Sequence, residues 1–170
     1  MKNLLISTAI LLLISLVSCQ SGQESVGGKG KKRKKTDPVS FSTLNSGQYS
    51  GATEAATLLI RSEAQFDSVW QVVFSNVEPK PERPAVNFEN QAIVVYLAGM
   101  KSSGGYIAEI RSVATRKNQV YIDTHLTTPG PDCMSASVIT SPFAFARIAL
   151  EGDEPEVVLS HTETAVPCSN

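Results

Sequence analysis

Ala92-Ile93-Val94-Val95-Tyr96-Leu97-Ala98 is an unbroken apolar run of seven residues that ends at Gly99. It is too short for an ordinary buried helix and is rich in β-branched and aromatic side chains, so it predicts a central strand covered on both faces. Such a strand needs a layer on each side, and the flanking sequence supplies them. Upstream, Thr57 to Ile60 reads as a strand, and Ser62-Glu63-Ala64-Gln65 matches the S-x-x-Q capping box that opens a helix. Phe66, Val69, Trp70, Val73 and Val77 then recur at the spacing of one apolar helix face, with Trp70 as its core anchor. Asn76 and Pro79 end that helix, and Pro79, Pro81 and Pro84 hold the next segment extended as a connection.

Downstream, Gly99 to Gly105 turns the chain and Tyr106 to Val113 returns as a strand. Strict alternation places Ile107 and Val113 on one face, with Tyr106, Ala108 and Ile110 on the other. In Gln119 to Leu126 the residues Val120, Ile122 and Leu126 face inward and Tyr121, Asp123 and His125 outward, so His125 reads as a solvated strand residue. Further strands are expected over Ser135 to Thr140, Phe143 to Leu150 and Pro155 to His161, with Pro142 as a break. Six or seven strands and one helix predict an α+β, mostly β fold. The expected architecture is an antiparallel sheet, curved or folded into a sandwich, with the amphipathic helix covering one face.

The N-terminus carries a different signal. Lys2 precedes an apolar stretch, Leu4 to Val17, that is short for a membrane span of about 20 residues but suits a signal-peptide core. Leu16-Val17-Ser18-Cys19 closes it and resembles a lipobox. That resemblance implies cleavage after Ser18, a thioether-linked diacylglycerol on Cys19 and acylation of the new amine; the alternative is an ordinary secretory signal. Residues 1–18 are thus read as a lipoprotein signal peptide and 19–38 as the acylated cysteine with a disordered tether. Residues 39–170 are read as one globular domain. Gln20 stands where some bacteria use Asp for inner-membrane retention, so delivery to the outer membrane is expected.

Charge is divided between these parts. Lys29, Lys31, Lys32, Arg33, Lys34 and Lys35 form one basic run, whereas the chain from Thr36 onward has eight basic and fifteen acidic residues, a formal charge of −7. An acidic domain argues against nucleic-acid binding by the folded part, since phosphate neutralisation requires a basic face. The basic run reads either as a solvated spacer or as a segment drawn to an anionic membrane surface, at about 1 kcal/mol per basic residue. With Cys19 acylated, Cys133 and Cys168 remain as an even pair in an exported protein and predict a disulfide. In the chain-entropy model that closure contributes about 4 kcal/mol and secures the C-terminus. The competing reading, a catalytic Cys133 with a histidine partner, lacks a basic neighbour to lower the thiol pKa.

The most unusual loop is Lys101-Ser102-Ser103-Gly104-Gly105-Tyr106 between two strong strands. Adjacent glycines permit a tight return, and Tyr106 offers an aromatic platform, although a Gly-Gly hairpin turn is also common as plain structure. Phe88 to Gly99, Ser103 to Ile110, Thr128-Pro129-Gly130-Pro131-Asp132-Cys133 and Thr140-Ser141-Pro142-Phe143 together resemble the PrcB C-terminal domain of the protease-complex-subunit PrcB family. The resemblance covers roughly Ala56 to Ile148. In that family the turn usually reads Pro-Thr-Gly-Gly-Tyr, whereas here Ser102 and Ser103 hold the first two places. Serine for threonine keeps the hydroxyl, while loss of the proline leaves the loop less preorganised.

The resemblance implies a non-enzymatic lipoprotein associated with an exported protease complex, without catalytic residues or cofactor to carry over. Ser102, Ser103, Gly104, Gly105 and Tyr106 are then the candidate partner-binding residues. Other readings are an envelope structural or assembly lipoprotein, a peptidase inhibitor that uses the Gly-Tyr turn as a wedge, and an enzyme built on Tyr121, Asp123 and His125. His125, Asp132, Cys133 and His161 form a metal set only on paper, because alternation puts His125 on a polar face and Cys133 is better used with Cys168.

Overall fold

The computed structural model of the protein describes residues 35–167. The lipobox at Cys19, the signal peptide, the tether up to Lys34 and Cys168 lie outside the described residues. Within them the chain forms β1 (Asp37–Val39), β2 (Phe41–Gly47), β3 (Ala55–Ile60), α1 (Glu63–Val73) and β4 (Gln91–Ala98). It continues with β5 (Ile107–Arg116), β6 (Gln119–Pro129), β7 (Phe143–Ala149) and β8 (Glu156–Val166). The strands make two sheets of four, ordered β1-β5-β6-β8 and β2-β7-β4-β3.

The architecture is the expected α+β, mostly β sandwich with one helix. β4 is central, flanked by β7 and β3, and every residue from Ala92 to Ala98 is buried. Its alternate side chains enter two cores. Ala92, Val94, Tyr96 and Ala98 face the other sheet, where Ile110, Val113, Val120, Ile122 and Leu126 meet them. Ile93, Val95 and Leu97 face the helix, in a cluster with Phe66, Trp70, Phe74, Phe143 and Phe145. The Trp70 ring is tilted against its neighbours, 4.4 Å from Phe74 and 5.3 Å from Phe145, centroid to centroid.

The helix starts where the capping box predicts. Ser62 Oγ accepts from the Gln65 N–H at 3.3 Å, and Gln65 Oε1 accepts from the Arg61 N–H at 3.3 Å. It ends at Val73, three residues before Asn76, because the Gly51 N–H donates to Val73 O at 2.9 Å and the chain turns at Phe74. The proline-rich connection is fastened to the helix: Trp70 Nε1 donates to Pro81 O at 3.2 Å, and Arg83 pairs with Glu63 and Asp67.

Several expectations need correction. β1 begins at Asp37, inside the span read as tether, and it pairs with β5 before the chain crosses through Ser40 into β2 of the other sheet. β5 does not alternate throughout. A register shift between Ile110 and Ser112 inserts Arg111 as an extra residue, so Ala108, Ile110 and Val113 all face the same core. β8 runs parallel to β6, which makes that sheet mixed rather than antiparallel. Ser135 to Thr140 is not a strand; among these residues Thr140 alone bridges, to Lys101. β4 and β5 lie in different sheets, so Gly99 to Tyr106 is a crossing between layers and not a hairpin turn. His125 is 1 % exposed, because β6 has neighbours on both sides, with Glu109 of β5 and Thr162 of β8 opposite it.

Candidate functional site

Three irregular segments meet at one end of the sandwich: 48–53, 99–106 and 130–142. Their backbones are joined by hydrogen bonds. Lys101 and Thr140 exchange N–H···O bonds of 2.8 and 3.0 Å, Gly104 N–H donates to Ala136 O at 2.9 Å, and Met100 N–H donates to Thr53 O at 3.1 Å. Thr140 and Ser141 are buried polar residues satisfied within this web. Thr140 Oγ1 donates to Ser103 O at 2.8 Å, Ser50 and Ser141 hydroxyls are 2.7 Å apart, and Ser141 N–H donates to Gln48 O.

The Ser102 to Tyr106 loop is therefore held from behind by residues 136–140. Only Gly105 of its two glycines has positive φ, at 91°. Gly104 is buried against Ala136 and Val138. Tyr106 is half-buried against the inter-sheet core, with Lys101 Nζ 5.8 Å from its ring centroid. The loop thus presents Ser102 and Gly105 to solvent and uses Tyr106 largely as packing.

What stands out from this end is apolar. Tyr49, Met100, Ile107, Met134 and Ile139 are each more than half exposed. Tyr49 lies between two grooves. One, of about 500 Å³, is lined by Gly104, Gly105, Ile107, Met134 and Val138, and the other, of about 400 Å³, by Ala52, Met100 and Ile139. Exposed large apolar side chains gathered in one place mark an interaction surface. The sequence reading found the loop but missed Tyr49, Met100, Met134 and Ile139. The available signal was a methionine and an isoleucine inside the Gly/Ser/Pro-rich 130–142 segment, where no periodicity gives them a core to fill.

Residues 92–149, from β4 through β7 and including both loops that carry the Gly-Gly-Tyr segment and its backing, match the family model described as PrcB C-terminal. Over that stretch, about a third of its length, the chain is similar to the PrcB C-terminal family. No curated protein and no solved structure matches the chain.

The other candidate residues do not converge. Tyr121 OH donates to Gln119 Oε1 at 2.7 Å, Asp123 Oδ1 accepts from Ser160 Oγ at 2.6 Å, and His125 Nδ1 lies 2.9 Å from Thr162 Oγ1. Each is engaged by a different neighbour and His125 is buried, so the three form no open constellation. His125 pairs in register with Thr162 and His161 with Thr124, which sets the two histidines on opposite faces of the sheet. The described residues contain no group of three or more His, Cys, Asp or Glu placed to hold a metal ion. Cys133 Sγ lies 3.7 Å from Val166 O, and Gly130 N–H donates to the same carbonyl at 3.0 Å. The Thr128 to Cys133 turn thus holds the end of β8.

Proposed function

We propose that the chain is an envelope lipoprotein that serves as a non-catalytic accessory subunit of an exported protease complex and docks its partner through the loop end of the sandwich. The observation that carries this reading is the apolar surface of Tyr49, Met100, Ile107, Met134 and Ile139 around a hydrogen-bonded Gly-Gly loop. Protein interfaces are built from such a rigid aromatic and methionine-rich centre with a polar rim. The PrcB C-terminal match, which contains most of these residues, supports the protease-complex context.

Cys19 supplies the lipid anchor in this reading, and the basic 29–35 run lies between anchor and domain. Pairing of Cys133 with Cys168 is supported by the position of Cys133 Sγ beside Val166, two residues before Cys168. The bridge would secure β8 and the rim of the larger groove. The reading places the protein at the outer membrane and assigns it no cofactor, metal or nucleic-acid partner.

The test is co-isolation from detergent-solubilised membranes. The wild type should bring down an exported peptidase, and the double variant Met134→Ser/Ile139→Ser should lose it while remaining membrane-bound. An unchanged partner set in that variant and in Tyr106→Ala would sink the loop end as the docking surface.

A further inference from the structure

Among the described residues β8 is the longest edge of the sandwich. Its 11 residues run in unbroken register beside β6, and no described strand pairs with the other side. A free edge is a template for another strand, and proteins blunt such edges with prolines, lysines, bulges or short strands. Two of the other edges are blunted in this way: β1 has three residues with Pro38 in its middle, and β2 is bulged between Thr43 and Asn45. β8 has none of these devices. Pro155 and Pro167 bound it, but Glu156 to Val166 contains no proline, lysine or arginine, its register is unshifted, and Val157, Leu159 and Val166 are exposed.

The sequence of β8 also matches itself. An antiparallel ladder sets residues of the same face opposite one another, so a strand that pairs with its own copy across a two-fold axis normal to the sheet has one residue on that axis. Centred on Thr162, β8 would meet its copy as Val158 with Val166, Leu159 with Ala165, Ser160 with Thr164 and His161 with Glu163. Apolar residues then face apolar ones, hydroxyls face hydroxyls, and imidazole faces carboxylate twice.

Neighbouring registers lose this match. Centring on Ser160 sets Leu159 against His161 and Val157 against Glu163, centring on His161 sets Leu159 against Glu163, and centring on Glu163 sets two carboxylates opposite each other. Both polar side chains are within reach of a copy: that of His161 is 41 % exposed and that of Glu163 57 % exposed, and in the single chain they already meet at 3.3 Å. A foreign extended segment would find the same backbone groups, but the side-chain match belongs to a second copy of this chain.

We infer that β8 pairs with β8 of a second copy, antiparallel and centred on Thr162, so that two four-stranded sheets join into one across a two-fold axis. The free backbone groups of the edge make the ladder, and the His161 to Glu163 pairs fix its register.

The experiment is sedimentation equilibrium of the full chain in detergent. The wild type should be a dimer. His161→Glu should weaken it by about tenfold, because the interface holds the altered pair twice, and the exchange His161→Glu/Glu163→Lys should return it to within about threefold of wild type. Met134→Ser/Ile139→Ser should dimerise like the wild type, which separates this edge from the loop end. His161 Nδ1 also lies 3.0 Å from Thr124 Oγ1, so a second measurement leaves His161 in place. In intact cells a short bismaleimide should join Thr162→Cys into a band of twice the mass. It should not join Glu156→Cys, which the register holds about 40 Å from its copy. A monomer at all concentrations, equal dissociation of His161→Glu and the exchanged pair, cross-linking of Glu156→Cys as efficient as that of Thr162→Cys, or capture of a different protein at Thr162→Cys overturns the proposal.

Discussion

β4 and β8 show how differently the two sheets are built. β4 sits between two strands and between two cores, and none of Ala92 to Ala98 is more than 7 % exposed. β8 is longer but pairs on one side only and is exposed along almost all of its length, Val157 and Leu159 included. The sheet of β4 thus carries the stability, through the helix and the aromatic cluster on one face and the inter-sheet core on the other. The sheet of β8 contributes one face to that core and leaves an edge and a cleft free for other contacts.

The largest test of this contrast is Phe145→Ala. Phe145 is fully buried in the aromatic cluster, and the truncation should cost about 3–5 kcal/mol in urea unfolding. A second test uses pH. Tyr96 has its phenol raised from 10.0 to about 12, so the unfolded chain loses this proton first; stability is intact below pH 10 and falls as pH rises from 10 to about 12. The loss, on the order of 2 kcal/mol, should be absent in Tyr96→Phe when both are unfolded across that range.

Gly51→Ala should cost about 1–3 kcal/mol, because an added Cβ would stand 2.4 Å from Val72 O at the helix C-terminus and force the backbone to move. Its thermal midpoint should fall accordingly, and a neutral result would mean that the 48–53 segment is not anchored to the helix. Smallest is Leu159→Ser, at 53 % exposure, which should change stability by no more than about 0.5 kcal/mol. A loss comparable to Phe145→Ala would show that β8 is packed against something and erase the contrast.

The same contrast explains what was legible in the sequence. β4 announced itself because burial on both faces leaves an unbroken apolar run, and α1 because Phe66, Trp70 and Val73 share one face behind a Ser62 cap. β1 and β2 were missed because short or half-exposed edge strands carry little apolar periodicity. Arg111 is an inserted residue that alternation cannot anticipate, so the faces of β5 were assigned wrongly beyond Ile110. His125 was read as solvated because its burial depends on the parallel pairing of β8, a non-local contact with no local signature. At the loop end Gly104, Gly105 and Tyr106 were visible as a motif. The surface around them was not, since Tyr49, Met100 and Ile139 come together only when three separate segments meet.

The central claim is that the loop end is the docking surface, and site-specific photo-crosslinking in intact cells tests it most directly. A photoreactive residue replacing Ile139 should capture an exported peptidase, whereas one replacing Val72, equally apolar and exposed but on the helix, should not. Capture from Val72 as strong as from Ile139, or no peptidase captured from Ile139, would contradict the account.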